Sequence, residues 1–172
     1  MLILFSSLKS VAAFYVGFQN NSWQDVVPVK YVSNVTNKEV NAYALMTFST
    51  LSLGGGYEGS LAQRWRYNGE AFLHNGTADL VKISDAKYSP RLTASSIWVS
   101  GKVAYRISKT FSIGPQFTYN SIQVKDLGSA SNVGFLINTD VEMYENLRLI
   151  QTMGTMNDSG TVAYTLGLQK MF

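Results

Sequence analysis

One histidine, eleven carboxylates and no cysteine bound the chemistry open to this chain of 172 residues. His74 is followed by Asn75-Gly76, so the serine of a His-x-Ser hydrolytic pair is missing. It reads as a hydrogen-bonded residue that closes a strand at the outer rim. A lone His and no Cys leave only carboxylates for a metal, with no ligand spacing among them, so no metal or cofactor is expected. Glu70, Asp140 and Glu142 could form an acid/base pair. Arginines of the same alternating class accompany them, and such groups form structural ion networks without catalysis. Gly54-Gly55-Gly56 lacks the Lys-Ser/Thr of a phosphate loop and leads into a strand rather than a helix. Its glycines read as permitting tight curvature or close packing. Gly114-Pro115 predicts a bulge, because proline removes one ladder bond.

Period-two alternation positions these side chains, in eight segments separated by Ser/Asn/Gly breaks. They are Phe14–Trp23, a second ending at Leu51–Gly59 and reaching back to Ala42, Arg64–His74, Ser96–Ile107, Phe111–Val124, Asn132–Tyr144, Leu147–Met156 and Thr161–Phe172. The connections at Ser60–Gln63, Ser108–Thr110 and Glu145–Asn146 are tight. Those at Gln24–Asn41, Asn75–Ser95 and Lys125–Ser131 are longer and polar, and Asn157–Gly160 is short. Long and short connections alternate along an even number of strands. That predicts an all-β, closed, up-and-down, eight-stranded transmembrane barrel over residues 14–172, with short turns and both termini in the periplasm.

Sorting by parity puts Trp65, Tyr67, Ala71 and Leu73 on one face of the third segment and Arg64, Arg66, Asn68, Glu70 and His74 on the other. Later segments divide likewise. Alternation alone fits a soluble barrel too; the placement of rings separates the two. Tyr57, Trp65, Tyr105, Phe111 and Phe172 lie on the apolar parity beside the short turns, as an interfacial girdle would. The polar parity carries Arg64, Arg66, Lys102, Arg106 and Arg148 against Glu58, Glu70, Asp140 and Glu142. An eight-stranded barrel is filled by side chains, so these nine are expected to form a lumen ion network. In it Arg66, Lys102 and Arg106 pair with Glu70, Asp140 and Glu142, while Trp98 and Leu136 help to fill the rest.

Composition agrees. Apolar residues are 46% of the chain but mean hydropathy is only +0.01, so greasy residues are diluted evenly, as alternation requires. A net charge of +3 without a Lys/Arg cluster gives no nucleic-acid signal. Residues 1–13 (MLILFSSLKSVAA) read as a short or truncated export signal or as a frayed N-terminus, with Ser10-Val11-Ala12-Ala13 as a cleavage site. Lys30, Lys38, Lys82, Lys87, Arg91 and Lys125 of the outer loops are interspersed with acids, which reads as a solvated surface with lipopolysaccharide phosphates as the alternative contact. Asn-x-Ser/Thr triplets at Asn20, Asn34, Asn75 and Asn157 read as polar loop composition.

The C-terminal residues Tyr164–Phe172 resemble the terminal assembly signal of outer-membrane barrels, with Phe172 as the final aromatic and Gly167 five positions upstream; Lys170 departs from it. Gly54-Gly55-Gly56-Tyr57, a tight turn and the aromatic strand Arg64–Leu73 resemble the outer-membrane β-barrel domain family, the small barrels of the OmpA, OmpX and OmpW types. The resemblance covers most of Phe14–Phe172. It implies the bacterial outer membrane, with membrane lipid, lipopolysaccharide and the barrel-assembly machinery as partners. It implies no activity, because this fold hosts pores, adhesins, anchors and enzymes. The reading is a non-enzymatic protein with a structural role or a surface role, in which outer loops bind a protein or other surface ligand. A passive pore for small or apolar solutes and a lipid A-modifying enzyme are the alternatives.

Overall fold

Runs that alternate in polarity gain most as half-buried strands, and closure removes the edges that would otherwise stay unpaired. The computed structural model describes residues 13–33, 35–82, 91–156 and 161–172. The strands are β1 (Ala13–Val32), β2 (Glu39–Ala62), β3 (Trp65–Lys82), β4 (Arg91–Arg106), β5 (Phe111–Val124), β6 (Gly128–Tyr144), β7 (Leu147–Met156) and β8 (Thr161–Met171). Each pairs antiparallel with the next, and β8 returns to β1 to close an eight-stranded barrel. The export-signal reading lies outside the described residues except for Ala13, which opens β1. The connection Asn157–Gly160 lies outside them as well.

The parity assigned from sequence is the parity of the wall. Leu73, Ile97, Phe117 and Phe135 point out and are about half exposed or more, while Glu70, Lys102, Gln116 and Asp140 point in and are buried. On β3 the outward apolar run goes from Trp65 to Leu73. Eight residue steps of about 3.3 Å, tilted about 40°, rise about 20 Å, close to the ~25 Å apolar band of an outer-membrane barrel.

The strands do not stop at that band. Residues 24–32 and 39–41 were expected in an outer loop, yet β1 and β2 stay paired up to Val32↔Glu39. β3 continues to Lys82 and β4 begins at Arg91, so the expected loop Asn75–Ser95 is also largely strand; the middle of it, 83–90, lies outside the described residues. Only residues 125–127 of Lys125–Ser131 form a turn. The cause is an exchange of polarity without a change of register. Below it β1 shows Phe14, Val16 and Phe18 outward and Gln19 and Asn21 inward; above it the outward residues include Ser22 and Gln24, and Trp23, Val27 and Val29 point in. β2 repeats this, with Phe48, Met46 and Ala44 inside and Ser49 and Thr47 outside. The outer section therefore has an apolar core and a wet exterior, like a soluble protein.

That section is also narrower. β8 leaves β1 at Trp23↔Ala163, and β7 leaves β6 at Gly134↔Met156. Beyond those pairs six strands continue, and β1 meets β6 directly. The Asn132 amide donates to the buried Asp25 carboxylate, and Gly128 sits so close to the Pro28 carbonyl that an added Cβ would lie 2.8 Å from it. Pro28, which has no N–H to leave unpaired, sits where β1 has no β8 neighbour.

One local expectation needs correction. Gly114-Pro115 carries no register shift: β5 and β6 pair continuously through Gly114↔Asn138 and Pro115↔Ile137. Instead the β4–β5 ladder is interrupted between Lys102↔Gln116 and Tyr105↔Ile113, where Gly114 presses against the Val103 carbonyl. The register shifts fall at Leu45/Met46, Ser60/Ala62 and Glu142/Tyr144.

Candidate functional site

The lower lumen is a layered ion network. Glu58 lies between two guanidiniums, with Arg66 at 3.1 Å and Arg148 at 2.5 Å. Arg66 reaches on to Asp140 at 3.6 Å and donates to the Ser112 hydroxyl. Lys102 lies 3.5 Å from Glu70 and 3.9 Å from Asp140. Asp140 also accepts from the Asn138 amide at 2.6 Å. Glu70 accepts from the Tyr15 hydroxyl at 2.6 Å and from the amides of Gln116 and Gln169, both at 3.4 Å. Small inward neighbours make room for the long chains: Ala104 faces Arg66, and Gly56 and Ser100 flank Glu70. Three cations thus meet three anions, and the space among Glu58, Arg66, Asn68, Lys102 and Asp140 leaves no room for a water.

Three residues expected in this network stand apart from it. Arg64 is exposed in the turn before β3, where its guanidinium donates to the Tyr105 hydroxyl at 3.2 Å; β3 begins one residue later than alternation suggests. Arg106, half-buried at the short-turn rim, makes no ion pair among the described residues. Glu142 is opposite Arg148 in register but not within ion-pair distance, because Arg148 turns inward to Glu58.

Above the ions lies a layer of rings. Trp23 stacks on Phe48 with centroids 4.9 Å apart and meets Trp98 edge-on at 5.0 Å. His74 packs against Trp98 at 4.7 Å. It stands in mid-barrel rather than closing a strand at the rim, since β3 runs on past it. Its Nδ1 lies 3.2 Å from the Asn21 amide nitrogen and 3.3 Å from the Thr50 hydroxyl. Among the described residues no carboxylate lies within hydrogen-bond distance of its ring, and no group of three or more acidic, His or Cys side chains could hold a metal. Glu58, Glu70 and Asp140 are each engaged by cations, and Glu70 and Asp140 by amides as well. Above the rings Val27, Met46, Ile122 and Val124 form the core of the outer section.

Outside, aromatic side chains gather at the short-turn end in two contact groups. Trp65 packs on Tyr105 at 5.0 Å, and Tyr57 touches both Phe14 at 5.6 Å and Tyr67 at 6.1 Å. Phe111 is half-buried beside them, and Phe172 is exposed while its N–H donates to the Phe14 carbonyl at 2.8 Å. Phe14 and Tyr67 belong to these groups but were not singled out from sequence; their outward parity next to Tyr57 was the available signal. Apolar belt out, charges in and rings at the rim make a surface that only a bilayer satisfies.

The described residues form a closed eight-stranded β-barrel whose apolar outer belt fits a membrane-spanning barrel. No protein-family model matches the chain, and no curated protein sequence matches it. Among solved structures it is similar to Ail, the attachment invasion locus protein of Yersinia pestis, at 12% identity over 94% of this chain and 97% of that one, with a TM-score of 0.44. Neisserial surface protein A aligns at 13% identity over 94% and 99%, with a TM-score of 0.47. The outer membrane protein OprG from Pseudomonas aeruginosa aligns at 12% identity over 93% and 96%, also with a TM-score of 0.47. Gly167, named with Phe172 as the assembly signal, also has a packing role, because an added Cβ would lie 2.6 Å from Gln19.

Proposed function

We propose that this barrel is a closed, non-enzymatic surface protein that works through its outer section. The observation that carries the reading is the tip of the β1–β2 hairpin. There Val32 and Val35 are exposed, at 62% and 81%, and Tyr43, four residue pairs below on the same hairpin, at 75%. From the end of its outward apolar run at Phe18 to Val32, β1 rises about 35 Å. A groove of about 340 Å³ between the hairpin and the β5–β6 turn, lined by Pro28, Tyr43, Leu127 and Gly128, adjoins them. An apolar tip on a water-facing scaffold with its own core suits a protein partner outside the cell. Gly167–Phe172 would be read by the barrel-assembly machinery during insertion.

The test is to make the tip polar with Val35→Ser and Tyr43→Ser and to compare cells displaying either form for binding to immobilised extracellular and serum proteins. Binding by the wild type that the variant loses, with barrel folding unchanged, is the expected result. Equal behaviour of the two forms would defeat the reading.

A further inference from the structure

On the lipid-facing side, where the apolar belt ends, β3 to β6 carry a groove of about 530 Å³, within the size range of ligand pockets. Its floor follows from the register. Asn75, Ser95, Gln123 and Ser129 stand opposite one another on four successive strands, all facing out. Just below them Leu73 and Ile97 are the last apolar residues of the belt on β3 and β4. Interfaces of this kind usually carry Trp or Tyr, whose bodies fill the headgroup zone. Here four short or slender polar chains take their place, and the groove is the space so left.

We propose that this groove holds one outer-leaflet glycolipid, the acylated and phosphorylated glucosamine disaccharide at the base of lipopolysaccharide. The row crosses three inter-strand spacings, about 14 Å. That is the reach of a disaccharide rather than of a single glycerophosphate headgroup. Hydroxyl and carboxamide side chains both donate and accept, which matches sugar hydroxyls and amide linkages; a headgroup with one phosphate and one ammonium would leave most of the row unused. Leu73 and Ile97 lie where the acyl chains descend. Lys125 provides the cation for a phosphate: its backbone N–H donates to the Thr93 carbonyl one step above the row, and among the described residues no acid lies within ion-pair distance of its ammonium. Among the described side chains, the other charges on this rim are Asp126, next to it in the turn, and Arg91, which is paired with Asp79 at 3.0 Å. This site is independent of the hairpin tip and of any protein partner.

Native mass spectrometry of the purified, folded barrel against lipid A and against phosphatidylethanolamine tests the proposal. The wild type should retain one lipid A at a concentration about tenfold lower than phosphatidylethanolamine requires, a difference of about 1.4 kcal/mol. Ser95→Leu with Gln123→Leu fills the groove with lipid-compatible chains and should abolish that preference, with heat-modifiable gel mobility confirming the fold. If the double variant does not fold, Gln123→Ala and Lys125→Ala, both on exposed outward positions, should each weaken lipid A retention about threefold or more. Equal retention of the two lipids by the wild type, or an unchanged preference in folded variants, would overturn the assignment.

Discussion

Replacing Glu70 with Gln is the sharpest test of the lumen. The carboxylate collects four donors: the Tyr15 hydroxyl, the Lys102 ammonium and the amides of Gln116 and Gln169. A glutamine has one acceptor oxygen, so its own NH₂ would face donors. Lys102 would keep Asp140, at 3.9 Å, as its one anion, with the neutral Asn138 carboxamide oxygen at 3.5 Å. Breaking one member of a buried pair costs about 3–5 kcal/mol, because the surviving charge is stranded. With a urea slope of about 1–3 kcal/mol/M, a loss near 3 kcal/mol lowers the unfolding midpoint by about 1–3 M. The assay is urea unfolding in lipid vesicles at neutral pH, followed by tryptophan fluorescence. Asp79→Asn, which breaks the exposed pair with Arg91, is the control and should not shift the midpoint measurably. Adding Lys102→Met to Glu70→Gln should recover much of the loss, since Arg66 still faces Asp140 at 3.6 Å and a neutral pair carries no stranded charge. Equal midpoints for Glu70→Gln and Asp79→Asn, or no recovery in the double variant, would refute the account.

In planar bilayers at neutral pH the protein should give no steady conductance, because paired ions and the Trp23–Phe48–Trp98 layer fill the bore; a stable open level would contradict this. Deleting Phe172 removes the N–H that binds the Phe14 carbonyl and the final aromatic of the assembly signal, and should leave protease-sensitive chain outside the membrane; normal insertion would count against it. Asn132→Ala removes the amide that joins β6 to Asp25 and should raise hydrogen exchange along residues 24–32 while leaving 13–23 protected. Uniform exchange along β1 would argue against the seam.

Strand number, order and parity were legible because lipid demands an apolar outer face on every strand and the side-chain period is two. Ala71, Val99 and Phe117 obey that rule however the barrel is staggered. The outer section was hidden by the same rule. A reader following apolar residues outward loses β1 at Asn20 and Ser22, where the outward face becomes polar, and meets Val26-Val27-Pro28-Val29, which blurs the alternation. The signal was present: Trp23, Val27 and Val29 keep the parity of Gln19 and Asn21 while changing its chemistry. Ion partners were only partly legible. Glu70 with Lys102 follows from adjacent strands, but Glu58 with Arg148 spans 90 residues and depends on the stagger of the closed wall. Arg64 was misplaced because one residue of turn length decides whether it points inward or out.

The exchange of polarity explains why the wall can narrow. In the belt, eight strands leave an interior that long charged chains must cross, and Arg66, Lys102 and Arg148 have that reach. Beyond the belt, water solvates the outside, so the inside must be apolar to hold together, and apolar side chains pack best without a charged gap. Dropping β7 and β8 reduces the circumference to six strands and brings Val27, Met46, Ala78, Ala94, Ile122 and Val124 into one core. The two edges exposed by that change, on β1 and β6, would invite pairing with another chain. Pro28 on one edge, Gly128 on the other and the Asn132–Asp25 bond between them close the gap without a ladder. A single register thus serves two solvents, and the level of Trp23, His74 and Trp98 is where one gives way to the other.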